Sequence, residues 1–409
     1  MEPILDRFIR YAKVHTTSKS GSDIVPSTQC QFDLAKMLKK ELSELGLTEI
    51  TLNDQCLLTA KLPSNMDKKV PAVAFFAHID TAPDASGENV NPQVWFNYSG
   101  GDIQLSNDVV ISPTIFPKLK EYVGNTIITA DGTTLLGADD KAAIAEIMYM
   151  LEYYVSNVEI KHGDIWVGFT ADEEVGLGVG KTDLSHIKAD FAYTLDGEGA
   201  GEMNSETFNA ASINISVKGR NVHPSTAKGK MLNALHIISE YIAAFPKNQR
   251  PEYTENYEGF YHLTALNGNV DNATATLALR EFNTEIYEQM KTYTLKIAKE
   301  LQLQYPETEI KCIVNDVYRN MGDVIYQHPY IIEIAKTAME KAGLIVNDFP
   351  FRGGTDGSAI SYMGIPCPNI FAGWHNAHGL YEYVSLQTME KVVEVLFNII
   401  EATTSLNQN

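Results

Sequence analysis

The chain reads as an α/β protein: a mixed sheet flanked by helices, interrupted by a smaller α+β domain. Two observations predict this. In the first two hundred or so residues, solid apolar runs at 70–76, 165–169 and 191–195 alternate with helical stretches, the pattern of strands buried on both faces. The pattern then changes. Ser212-Ile-Asn-Ile-Ser-Val-Lys218 alternates cleanly, as a strand with one wet face does.

The elements follow in order. Residues 3–14 carry Ile4, Phe8 and Tyr11 at helical spacing and predict a short amphipathic helix. A second helix is expected over 27–45, with Gly46 as its stop. Strands are expected at 50–52, 57–62 and 70–76. The stretch 82–117 is rich in Gly, Asn, Asp and Pro and reads as a long loop, of a length that tends to be functional. It is expected to wall part of a substrate cavity. A helix over 142–155 leads to strands at 165–169 and 191–195. Beyond them come a strand at 212–218, a helix over 231–245, a strand near 273–279, a helix near 285–301 and a strand near 309–314. They are read as a small ferredoxin-like β-α-β-β-α-β domain with three of its four strands located, placed at 209–322 as an insertion. Residues 1–208 and 323–409 then build one larger domain. A helix after Ser385 closes it, with Met389, Val392, Val393, Leu396, Ile399 and Ile400 in one apolar stripe.

Composition narrows the function classes. Of 409 residues, 44% are hydrophobic and 21% charged, an ordinary globular balance. Fifty-two acidic residues against 32 basic ones leave a net charge of −20, which argues against a nucleic-acid partner. No apolar stretch approaches the ~18 residues of a membrane span. The opening Met-Glu-Pro-Ile-Leu-Asp-Arg lacks a signal-peptide pattern. Cys30, Cys56, Cys312 and Cys367 are scattered without CxxC spacing, which suits a cytoplasmic protein without disulfides or thiolate metal sites.

Five side chains carry the functional signal: His78, Asp139, Glu174, Asp196 and His378 each stand at or just past the end of an apolar run. Open α/β sheets bind ligands at the carboxyl ends of their strands, so the layout is that of a two-metal hydrolase. In Val73-Ala-Phe-Phe-Ala-His-Ile-Asp80, residues two apart share a face. His78 reads as a metal ligand and Asp80 as the carboxylate that supports its imidazole. In Gly137-Ala-Asp-Asp-Lys141 two acids open a helix against a Gly-rich turn, more than capping alone explains. Asp172-Glu-Glu174 ends a strand with three like charges, which is costly unless cations offset them or one stays protonated.

Together, His78-Ile-Asp80, Gly137-Ala-Asp-Asp-Lys141, Asp172-Glu-Glu174, Asp196-Gly197 and His378-Gly379 resemble the di-zinc exopeptidases related to aminoacylases and glutamate carboxypeptidases. The resemblance runs along the whole chain, through Asn221-Val-His-Pro-Ser225 and Arg352-Gly-Gly-Thr-Asp-Gly357. It implies a zinc-exopeptidase catalytic domain and an inserted lid and dimerisation domain. It further implies a homodimer, two zinc ions per subunit, and cleavage of the N-terminal peptide bond of tripeptides. Three carboxylates and a hydroxide would balance two divalent cations.

By the same resemblance, His78 and Asp196 hold one zinc, Glu174 and His378 hold the other, and Asp139 bridges them with a cis bond after it. Glu173 is the expected general base. His223 is expected to donate to the oxyanion, often from a partner subunit in such enzymes. Arg280 and Arg352 are candidates for the peptide's carboxylate, a task suited to guanidinium geometry. His375 reads as a loop neighbour of His378. A dipeptidase or N-acyl amino-acid deacylase on the same scaffold, and a non-catalytic metal- or peptide-binding protein, are the alternatives.

Overall fold

The computed structural model describes residues 1–106 and 108–406, which fall into two compact units. Of the described residues, the first comprises 1–106, 108–205, 323–349 and 355–406; the second comprises 206–322 and 350–354.

An eight-stranded mixed sheet centres the first unit. Its order is Thr48–Leu52, Leu58–Leu62, Ile165–Thr170, Val73–His78, Phe191–Leu195, Asn369–Ile370, Glu202–Asn204 and Asn347–Asp348. The solid apolar runs become its middle: Ile165–Thr170, Val73–His78 and Phe191–Leu195 are mutually parallel, and every one of their residues is buried. Helices Ile4–Ala12, Ala138–Ser156, Pro329–Lys341 and Leu386–Ser405 pack on one another, the last through the apolar stripe read from its sequence.

Two local expectations change. The helix expected from residue 27 starts at Gln31, because Ser27 is spent elsewhere: its N–H and hydroxyl both bind the Asp172 carboxylate at 2.5 Å. The stretch 82–117 is more ordered than a loop. Gln93–Trp95 pairs with Ile127–Thr129 in a small four-stranded sheet, and Ile103–Gln104 pairs with Val110–Ile111. Tyr98, Ile103, Leu105, Ile111 and Leu119 share a hydrophobic cluster, so apolar residues scattered among turn formers anchor the segment. No helix among the described residues is long and apolar enough to cross a membrane.

The second unit is a four-stranded antiparallel sheet in the order Phe260–Gly268, Asn272–Glu281, Asn209–Lys218, Glu309–Tyr318. With helices Ala234–Ala243 and Thr284–Gln304 it has the expected β-α-β-β-α-β order. Ile213, Ile215 and Val217 point into a core with Ile237, Ile238, Tyr241, Leu277 and Ile297, while Asn214 is exposed. The first helix is shorter than expected because the Asn233 side chain accepts the Leu235 N–H and caps it there. Phe260–Gly268 was not anticipated: most of it is exposed at a sheet edge, so it lacks the apolar signature of a strand.

Candidate active site

The three parallel strands end side by side. His78, the last residue of its strand, pairs in register with Thr170. Asp196 follows Leu195 directly, and Glu173 and Glu174 form a short turn just past Thr170. Asp139 lies at the start of Ala138–Ser156, where Asp139 and Asp140 have non-helical dihedrals and the peptide bond between them is cis. His378 enters from the connection between Trp374–His375 and Tyr383–Ser385.

Asp139 stands between the two imidazoles. Its Oδ1 is 2.8 Å from His78 Nε2, and its Oδ2 is 3.4 Å from His378 Nε2. His378 Nε2 also lies 2.8 Å from Glu174 Oε2, and Asp196 Oδ1 is 4.0 Å from His78 Nε2. The five residues read from strand ends therefore converge. Glu173 joins them, with ligand atoms of Glu173, His78 and Asp196 all within 4.8 Å of one another.

The scaffold around this cluster is hydrogen-bonded. His78 Nδ1 is 3.0 Å from the Asp80 carbonyl, a contact that puts a proton on Nδ1 and makes Nε2 the nitrogen that faces the cluster. The Asp80 carboxylate lies beside the same ring, with Oδ1 3.5 Å from His78 Nδ1, and its two oxygens accept the N–H groups of Glu173 at 3.0 Å and Glu174 at 3.2 Å. Asp80 thus ties the first strand end to the turn bearing both glutamates. The His78 N–H donates to Asp140 Oδ2 at 3.1 Å, so the second acid of the pair holds the main chain of a candidate ligand.

Asp172 leaves the cluster, accepting from Ser27 and from Gln31 Nε2 at 2.7 Å. The three adjacent acids are partly relieved of one another in this way.

Charge at the centre is unbalanced. Burial, with added repulsion from neighbouring carboxylates, pushes Asp140, Glu173 and Asp196 well above the usual carboxylate range. Burial and the Asp139 charge raise Glu174 to about 7. Asp139 goes the other way: burial opposes its charge, but the contacts with His378 and His78 outweigh that and lower it. The contacts with Asp139 and Glu174 raise His378 to about 11.

These residues fit divalent cations. Two overlapping ligand groups exist, His78–Glu173–Asp196 and His78–Asp139–Glu174. Buried Glu174 Oε1 and Asp140 Oδ1 have no hydrogen-bond partner among the described residues. Imidazole nitrogens with carboxylate oxygens are a donor set suited to zinc and its neighbours.

The remaining candidates lie in the second unit. His223 precedes a short turn at Pro224–Thr226, and its Nδ1 accepts the Ser225 N–H at 3.3 Å, which puts the neutral ring's proton on Nε2. Arg280 donates to the Leu279 carbonyl at 2.9 Å and lies over the Tyr318 ring. Arg352 donates to the carbonyls of Asn256 at 2.7 Å and Glu258 at 2.9 Å, and lies over Phe208 and Phe260.

Sequence reasoning missed several participants. Asp356, buried, accepts the Val179 N–H at 3.0 Å and lines a small pocket with His78, Glu173 and Asp196. Its signal was present in Thr355-Asp-Gly but follows no strand. His375 is more than a neighbour: it is buried, with Nε2 2.6 Å from the Tyr122 hydroxyl.

Comparison with known proteins adds the family. Residues 205–309 match the family described as "Peptidase dimerisation domain". Peptidase T of Geobacillus thermodenitrificans is 48% identical over 402 residues, 98% of each chain. Peptidase T of Salmonella schwarzengrund is 47% identical over 410 residues, the whole of both. Among solved structures, an aminopeptidase of Bacillus cereus superposes with a TM-score of 0.78 at 23% identity, covering 98% of each chain. A dinuclear metal-binding peptidase of the M20 family from Bacillus subtilis superposes at 0.64 with 12% identity, covering 98% of this chain and 99% of that one.

Proposed function

The chain belongs to the peptidase T family of M20 peptidases, and from that membership we propose that it removes the N-terminal residue of tripeptides with two zinc ions and a glutamate base. The observation that carries the dinuclear reading is the Asp139 carboxylate, whose two oxygens face two different imidazoles. His78, Asp139 and Asp196 would hold one zinc; Asp139, Glu174 and His378 would hold the other. Zinc held there supplies a Lewis acid for the scissile carbonyl and brings the pKa of water towards 7.

Glu173 is the base in this reading. Asp80 holds its main chain, and burial raises its carboxylate, which favours taking up a proton and passing it to the departing amine. Its neighbour Glu174 points to His378 instead, so the adjacent glutamates divide between base and ligand. His223, whose neutral ring carries its proton on Nε2, is our candidate donor to an oxyanion. Arg280 and Arg352 donate to carbonyls and lie over ring faces and are our candidates for the peptide's carboxylate. The match to a dimerisation domain supports a homodimer through the second unit. The free cysteines suit the cytoplasm.

A panel of free, N-acetylated and C-amidated di-, tri- and tetrapeptides tests the substrate. Free tripeptides should be cut fastest. Equal cleavage of N-acetylated tripeptides would transfer the assignment to a deacylase. Elemental analysis of the purified protein, with two zincs per chain expected, tests the metals.

A further inference from the structure

We infer that Glu382 is a positioning residue for the metal centre, acting through the main chain of Asp139. The inference rests on the reading of Asp139 as the carboxylate shared by both cations. Glu382 directly precedes the strand Tyr383–Ser385 and is 1% exposed. Its carboxylate takes three main-chain N–H groups from one short segment. Oε2 accepts from Leu136 at 2.7 Å and from Gly137 at 2.8 Å, and Oε1 accepts from Asp139 at 3.0 Å.

Successive N–H groups converging on one oxygen make an anion-binding concavity, here filled by a side chain of the protein itself. Gly137 permits the turn. Its φ is +75°, and a Cβ there would stand 3.1 Å from Thr81 Cγ2. In a buried site an N–H left without its acceptor is costly, and all three of these donors depend on this one group.

The clamp acts where it matters for ligation. It holds the Asp139 N–H, and the Asp139 side chain then presents Oδ1 to His78 and Oδ2 to His378. A carboxylate that serves two partners at once tolerates little rotation of its main chain. Misplacement by about 1 Å can cost about 10²-fold in such sites. Asp80 plays the matching part for the opposite ligand turn, holding the N–H groups of Glu173 and Glu174. The centre is thus braced by two buried carboxylates that accept main-chain N–H groups beside its ligands.

Glu382→Gln in the full-length protein tests this. The amide keeps the size but turns one oxygen into a donor facing a main-chain N–H. Zinc affinity, read by competition with a chelator, should fall by about 10–100-fold, the usual effect of removing a ligand's support. Turnover should drop in kcat with KM unchanged, and the metal-free protein should melt as the parent does. Unchanged zinc affinity overturns the inference. So does a Glu382→Gln chain that fails to fold, since the carboxylate would then serve the fold and not the centre. Asp139→Asn run in parallel separates the two ideas. If it keeps both zincs at parental affinity, the bridging assignment fails; if it loses zinc while Glu382→Gln does not, the clamp alone fails.

Discussion

In the first unit the three central strands are buried along their whole length, whereas in the second the edge strand Phe260–Gly268 is exposed over most of its residues. The contrast decides how polar side chains are held. At the strand ends of the first unit, carboxylates are cut off from water, so protein donors or cations must satisfy them. Asp80 and Glu382 accept main-chain N–H groups, Asp140 accepts from His78, and the imidazoles face Asp139. In the second unit one sheet face is wet, and His223, Arg280 and Arg352 rest on short-range or carbonyl contacts. Buried geometry sets charge in one unit; accessible side chains present it in the other.

The contrast can be broken most severely at Asp139. Asp139→Ala should lose both metals and essentially all turnover, because one carboxylate serves two imidazole partners; two tightly held zincs by elemental analysis would contradict this. Glu173→Gln should keep both metals while kcat falls by about 10²–10⁴, the contribution of a positioned acid–base. Near-normal turnover would remove Glu173 from the mechanism.

His223→Ala probes the second unit. It should fold and bind metal normally, with kcat lower by about 10²–10³. If His223 serves the neighbouring subunit, mixing this variant with Glu173→Gln subunits should restore activity, since one site of each heterodimer then carries both lesions and the other none. No recovery after confirmed subunit exchange would confine His223 to its own chain.

The smallest effect on turnover is expected at Glu146, a buried acid in the first unit whose two oxygens have no hydrogen-bond partner among the described residues, where the change is read in stability. Burial raises its pKa well above the ordinary value. A group raised on folding stabilises below its unfolded pKa, and that contribution is lost as pH climbs towards the folded value. Glu146→Met should therefore gain stability relative to the parent as pH rises from about 5 to 8, by up to ~1.4 kcal/mol per pH unit. Urea unfolding at both pH values reads this, and a pH-independent difference would refute it.

Much of the first unit was legible because its signals are local. Solid apolar runs mark the parallel strands, and acids or histidines at their ends mark the site; the structure brings all five of those residues together. In the second unit, alternation at Ser212–Lys218 revealed the half-buried sheet. Phe260–Gly268 escaped because an edge strand is specified by its partner: Leu263 is exposed yet pairs with Leu277. The helix start misplaced to residue 27 has a similar cause, as Ser27 is recruited by Asp172, 145 residues away.

By itself the sequence determined the fold class, much of the order of elements, the cluster of acids and histidines at the strand ends and the resemblance to a peptidase family, all of which follow from patterns within a few tens of residues. Tertiary structure alone decided which oxygen of Asp139 meets which imidazole, that Asp172 turns away while Glu173 and Glu174 stay, and that Glu382 clamps a segment 243 residues earlier. The reason is physical. A hydrogen bond in a buried site depends on distance and direction set by packing of remote elements, and local propensity carries no information about either.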